Sequence, residues 1–340
     1  MRSGIRWSIV SLLLLIAFFA LLFIFLRERQ ERLYDKEAYA LAVHALVRKP
    51  QQRLTRQILS NDEPLIFVGG VPRSGTTLMR VMLDAHPDIR CGEETSVIPY
   101  VLGMRLHFES KGWIKALNGS GISQKALDDA TSAFLLEVIR EHGSVAKRLC
   151  NKDPFTAFHL PTLIRMFPNA KHILMIRDAR ATIHSMIDRN VPVSGFNHSD
   201  PESMFKAWNN LISRMVYTCS NAKGLCLKVY YERLVQRPSD EARRILHFLD
   251  VPWSDDVLKH QDKIGDEIHL NPKEFSTSQV KEKVNEKALT TWFGCYPGVL
   301  LEKIDRLAPM LRKLGYDTST DRPDYSAFGR DDFYEYGYKL

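Results

Sequence analysis

The chain has 340 residues, 45% hydrophobic and 26% charged, with a formal net charge of +7. Residues 1–60 hold ten Lys/Arg against four Asp/Glu, while the remaining 280 residues hold 37 against 36. The basic excess therefore belongs to one end of the chain and the rest is balanced. With no zinc-type cysteine spacing, internal repeat or low-complexity tract, a nucleic-acid-binding reading is excluded.

The first six residues, with Arg2 and Arg6, read as a short cytoplasmic tail ahead of an apolar run at 7–26, where 18 of 20 residues are apolar and two are serine. At about 1.5 Å per residue such a helix covers about 30 Å, the thickness of a bilayer core. No shorter apolar core with a small-residue cleavage site is visible, so the segment is expected to be an uncleaved signal anchor. Both flanks are basic, which leaves orientation undecided by charge. The sequons at Asn118 and Asn197 and the five cysteines favour a bulk facing a secretory lumen. Residues 27–60 read as a stem, 61–317 as one lumenal domain and 318–340 as a flexible tail.

In the domain, Pro64-Leu-Ile-Phe-Val-Gly-Gly-Val-Pro-Arg-Ser-Gly-Thr-Thr-Leu78 runs from a short buried strand (65–68) through a glycine turn into a helix starting at Thr76. Such a turn gathers unpaired backbone N–H groups around one point and suits phosphate. Gly70 and Gly75 keep the spacing of an ATP-binding loop, but Thr76 replaces its lysine and the cation lies inside the loop as Arg73, which argues against a P-loop kinase. Further strands are expected at 171–177 and 225–231, and helices at about 125–142, 202–220 and 239–249. This alternation predicts an α/β fold, a P-loop-like parallel sheet flanked by helices, with ligands at the carboxyl ends of its strands. The second strand ends at Arg177, and Ser185 follows two turns into the next helix, so the pair can grip one phosphate from two sides. The third ends in Tyr230-Tyr-Glu232, and Pro238 opens the last of these helices.

These features resemble the phosphosulfate-binding signatures of PAPS-dependent sulfotransferases. Val71-Pro-Arg-Ser-Gly-Thr-Thr-Leu-Met-Arg80, Leu83-Asp-Ala-His-Pro87, Cys91-Gly-Glu-Glu-Thr95, Cys150-Asn-Lys-Asp-Pro-Phe155 and His184-Ser-Met186 are similar to tyrosylprotein sulfotransferases, over about residues 62–317. The resemblance implies a dimeric Golgi type II membrane enzyme that moves a sulfuryl group from PAPS to tyrosines in acidic stretches of secreted proteins. It implies Glu94 as the base, with Glu93 structural, and Lys152, Ser276 and Arg73 as the groups that stabilise the transition state. Arg73, Ser74, Gly75, Thr76 and Thr77 would hold the 5′-phosphosulfate. Arg177, Ser185 and Arg189 would hold the 3′-phosphate. Tyr231 and the segment 276–285, with Ser276, Thr277, Gln279, Val280 and Asn285, would close over the nucleotide. A phenol has a pKa of about 10, so a carboxylate must take its proton as the new bond forms. No metal is expected.

The chain also departs from that pattern. Thr291 stands before Trp292 where the family has a basic residue, which Lys283 or Lys287 could replace. Ser96 and Tyr100 stand where the family has two arginines that read acidic substrate residues. Spacing alone does not fix cysteine connectivity; the resemblance implies Cys91–Cys150 and Cys219–Cys226, with Cys295 free. Two alternatives share this fold: a carbohydrate sulfotransferase and a non-catalytic Golgi protein. Tyr334 and Tyr336, among Asp331, Asp332 and Glu335, form an acidic tyrosine context of the kind such enzymes modify, which raises self-sulfation of the tail beside the preferred reading, a solvated tail whose tyrosines merely pack on the surface.

Overall fold

The computed structural model describes residues 59–143, 146–271 and 274–334. The expected tail, anchor and most of the stem lie outside the described residues.

The apolar run after Pro64 forms β1 (Ile66–Gly70), every residue of it buried. It leads through the glycine turn into α1 (Thr76–Asp84) and the two-residue β2 (Ile89–Arg90). Next come α2 (Val97–His107), α3 (Lys111–Gly119), α4 (Gln124–Glu141) and β3 (Arg148–Lys152). A 3-10 turn at Pro154–His159 precedes α5 (Leu160–Met166), β4 (Lys171–Ile176) and α6 (Ala179–Asp188). The series continues with α7 (Pro201–Asn221), β5 (Cys226–Tyr230), α8 (Tyr231–Gln236) and α9 (Pro238–Phe248).

Local chemistry accounts for the helix starts. The Ser123 hydroxyl accepts the Ala126 N–H at 3.1 Å to open α4. The Asp200 carboxylate accepts the Ser203 N–H at 3.1 Å to open α7, with Pro201 at its first position. Both are N-caps of the favoured residue types, and proline costs nothing where no intrahelical partner for its N–H exists.

The five strands pair in the order β2-β3-β1-β4-β5, all parallel. Side chains alternate across β1. Ile66 and Val68 pack with Ile173, Met175 and Val229, while Leu65 and Phe67 pack on the other face with Leu163 and Phe167. Helices cover both faces, as buried parallel sheets require. Crossovers run to one side of β1 for β2 and β3 and to the other for β4 and β5, so the direction reverses at the centre of the sheet. Ligand sites lie where this reversal brings strand carboxyl ends together. Register puts Val68 beside Lys152 and Ile173, Gly70 beside Met175, and Ile176 beside Tyr230. Lys152, Arg177 and Tyr231 therefore emerge at the same edge as the glycine turn.

The segment expected to be a flexible tail from residue 318 is instead packed through Tyr334. Tyr325, Phe328 and Phe333 are buried, and against Tyr230 Phe328 packs at a tilt and Phe333 edge to face. The Arg233 guanidinium donates to the Phe328 and Arg330 carbonyls. The Tyr334 hydroxyl donates to Glu241 at 2.7 Å and accepts from Arg244 at 2.7 Å. The aromatic residues bury enough apolar surface to hold a stretch whose other residues are mostly polar. Tyr336 lies outside the described residues.

Both expected disulfides are present, Cys91–Cys150 and Cys219–Cys226, and Cys295 is free and exposed. Asn118 ends the exposed side of α3 and Asn197 lies on an exposed loop.

Candidate active site

The turn after β1 places Arg73 in the left-handed backbone region, φ 73°, and Gly75 at φ 99°. A side chain at Gly75 would also meet the Tyr231 ring, with a Cβ 2.6 Å from Cδ2. Only glycine fits there. The strained Arg73 backbone turns its guanidinium back into the protein, where it donates to the hydroxyls of Ser185, at 3.1 Å, and Ser276, and to Gln279 Oε1 at 2.6 Å. Burial, then the cations Arg177 and Arg189, lowers its pKa to about 10, so it stays charged at neutral pH.

Arg177, at the end of β4, donates to the Arg73 carbonyl at 3.0 Å and the Ala288 carbonyl at 2.8 Å, and stacks on the Tyr231 ring 4.5 Å from its centroid. Its Nε and the hydroxyl of Ser74 are buried without partners among the described residues. Unpaired buried donors are costly; here Arg177 lines a cavity of about 330 Å³, and Ser74 lies just ahead of the N-terminus of α1. Orphaned donors, a helix N-terminus and three arginines are what a bisphosphorylated nucleotide needs.

Arg73, Gly75, Thr76, Thr77, Arg177, Arg189, Tyr231, Ser276, Gln279, Val280 and Asn285 all line this cavity. Ser185 stands behind Arg73 as its partner, and Ser74 lies beneath the turn. The Thr277 hydroxyl turns away to the Asn271 carbonyl at 2.8 Å. Thr291, Lys283 and Lys287 line the wall, with Lys287 paired to Glu282 at 2.8 Å. Ala replacing Arg177 or Ser185 is expected to weaken binding of adenosine 3′,5′-bisphosphate, since a charge-assisted bond contributes about 1.5–3 kcal/mol. Calorimetry on the two variants checks this, and unchanged affinity in both removes them from the grip.

A second cleft of about 700 Å³ opens on the other side of the same turn, and the two share Arg73, Thr76, Thr77 and Ser276. Its walls include Pro99, Tyr100, Phe155 and Phe158, with Ser96 at the edge. Behind its lining, the fully buried ammonium of Lys152 donates at 2.6 Å to Glu94, which does line the cleft. Cys91–Cys150 ties the Glu94 loop to β3 beside this pair, and Arg80 braces the loop by donating to the Gly92 carbonyl at 2.6 Å. Glu93 turns elsewhere, 3.5 Å from His142.

Two further carboxylates border the cleft, and the sequence did not disclose them. Glu274 Oε2 lies 3.4 Å from Lys152 Nζ, and Oε1 accepts the Glu94 N–H at 2.8 Å. Asp153 accepts the Ser96 N–H at 3.1 Å, and burial, with Glu94 nearby, raises its pKa to about 7. Burial and Arg214 push His159 down to about 4, so it faces the cleft as neutral imidazole at neutral pH.

The model of the Sulfotransferase family matches residues 64–255. Protein-tyrosine sulfotransferase 1 of Danio rerio is 47% identical over 294 residues, covering 86% of this chain and 82% of that one. Protein-tyrosine sulfotransferase 1 of Homo sapiens is 48% identical over 269 residues, covering 78% and 72%. Among solved structures, the sulfotransferase domain from the Synechococcus PCC 7002 olefin synthase superposes with a TM-score of 0.52 at 22% identity, covering 79% of this chain and 99% of that one, a likeness of fold. With the sulfotransferase sheet, the paired cavities and close relatives over most of its length, the chain belongs to the protein-tyrosine sulfotransferases.

Proposed function

We propose that the protein transfers a sulfuryl group from PAPS to tyrosine side chains of protein substrates, with Glu94 as the base. The observation that carries this is the meeting of a phosphate-competent cavity and an aromatic-walled cleft at Arg73, Thr76, Thr77 and Ser276, with the Glu94 carboxylate lining the cleft and the buried Lys152 ammonium paired to it from behind. Bound PAPS supplies the sulfuryl group and a phosphate as its leaving group. Arg177, Arg189 and the N-terminus of α1 would hold its phosphates, and Tyr231 would cover it. Glu94 would take the phenol proton as the tyrosine oxygen attacks. Lys152, Arg73 and the Ser276 hydroxyl would meet the negative charge growing on the leaving oxygen, the electrostatic role that dominates such transfers. These cations carry that role in this reading without a metal ion.

The reading includes a type II anchor at 7–26, a Golgi lumenal site domain and a homodimer. Two disulfides and two exposed sequons support an oxidising lumen. The exposed apolar side chains Met104, Trp113 and Phe134 on α2–α4 support association.

Incubating the full chain with labelled PAPS, acidic and neutral tyrosine peptides, their phenylalanine counterparts and a glycan acceptor tests the reading. Label on tyrosine is expected, and label on the glycan alone, or on nothing, overturns it. Ser96 and Tyr100 edge the acceptor cleft, so Ser96→Arg with Tyr100→Arg is expected to steepen the preference for the acidic peptide and its dependence on salt. Equal selection by both enzymes would assign substrate reading to another surface.

A further inference from the structure

The segment that carries Glu274 belongs to neither half of the site alone. Glu274 lies two residues before Ser276, and its carboxylate sits in the acceptor cleft. There it accepts the Glu94 N–H at 2.8 Å and faces the Lys152 ammonium at 3.4 Å. Ser276 and Gln279, on the same stretch, instead accept from Arg73 at the donor side. One short segment thus touches the donor grip and the base at once. A second physical reason points to the same residue. Lys152 has no exposure, and an ammonium so placed needs a counter-ion. When Glu94 takes the phenol proton it becomes neutral and no longer serves as one. Glu274 is then the carboxylate within reach that keeps Lys152 compensated.

We propose that Glu274 is a positioning residue that couples donor occupancy to the base: a donor that fixes Ser276 and Gln279 seats Glu274, which holds the Glu94 backbone and the Lys152 ammonium for transfer. The inference rests on the reading of function above and adds a direction to it. The spent nucleotide, adenosine 3′,5′-bisphosphate, strengthens acceptor binding through Glu274.

The test measures acceptor-peptide affinity with and without the bisphosphate, bisphosphate affinity and kcat, in the full-length enzyme and in Glu274→Ala, Glu274→Gln and Glu274→Asp. In the unaltered enzyme the bisphosphate is expected to tighten peptide binding about fivefold or more. Glu274→Ala is expected to erase that gain and lower kcat at least about tenfold, with bisphosphate affinity changed no more than about twofold. Glu274→Gln, which is isosteric and still accepts the Glu94 N–H, keeps part of the coupling but loses turnover for want of charge. Glu274→Asp recovers part of the turnover. If Glu274→Ala does not fold, the Gln and Asp pair carries the test. Full coupling and turnover in the Ala and Gln variants overturns the inference alone, as does a loss of bisphosphate affinity that parallels the loss of turnover in every variant. An unaltered enzyme that transfers nothing overturns both the inference and the reading beneath it.

Discussion

Glu94→Ala is expected to lower kcat by about 10²–10⁴-fold, the range a positioned general base contributes, and to leave affinity for adenosine 3′,5′-bisphosphate intact. The separation follows from placement. Glu94 lines the acceptor cleft and not the donor cavity, while Arg177 and Tyr231 line the donor cavity and not the cleft, Arg73 standing between the two. Truncation removes the partner of Lys152 at 2.6 Å, yet Glu274 at 3.4 Å still compensates the buried ammonium, so the fold survives. Glu93→Ala, whose contact is His142, is expected to retain turnover. Single-turnover transfer to a tyrosine peptide, alongside calorimetry with the bisphosphate, reads both quantities. Normal turnover in Glu94→Ala would move the base elsewhere, with Asp153 the next carboxylate in the cleft.

The donor half of the site was legible from residues because its information is local. An apolar run, a glycine turn and a hydroxyl-rich helix start are contiguous, and Arg177 and Ser185 follow a strand of clear apolar character. β1, β4 and β5 were read for the same reason. β3 was not, because Arg148-Leu-Cys-Asn-Lys152 alternates too little to show a strand. Its last residues are polar because they serve the site, and Lys152 tolerates burial only through carboxylates far away in sequence. β2 has just two residues and no periodicity to find. Glu94 and Lys152 are implied separately by the resemblance, not by spacing, their ion pair is visible only in the structure, and Glu274 could not be reached at all. It stands 122 residues from Lys152 and 180 from Glu94, in a stretch without regular structure. The signal available was its place two residues before Ser276. In the C-terminal segment polar composition outweighed the aromatic residues at 325, 328, 333 and 334, which are what pack it down.

That C-terminal segment is locked by a buried ion pair, and Asp178→Ala is expected to destabilise the domain by about 3–5 kcal/mol, the cost of leaving a buried charge without its partner. Asp178 and Arg180 have no exposure on either side chain. The guanidinium binds the carboxylate through two bonds, at 3.0 and 2.7 Å. Its remaining donors reach the Thr320 and Asp317 carbonyls at 3.0 and 2.7 Å, and its face lies 4.5 Å from the centre of the Trp292 ring. Asp178 also caps α6 through the Arg180 N–H and accepts the Tyr325 hydroxyl, both at 2.8 Å. Removing the carboxylate strands Arg180, uncaps the helix that follows Arg177 and frees Tyr325, so the effects fall on one structural unit. Asp178→Asn keeps a side-chain acceptor but no charge, and is expected to lose part of this. With about 2–4 °C of Tm per kcal/mol for a domain approaching this size, the alanine variant should melt on the order of 10 °C lower. Thermal unfolding followed by circular dichroism checks it. A melting temperature equal to that of the unaltered protein would mean that Arg180 finds other compensation and that the C-terminal segment is held by its aromatic packing alone.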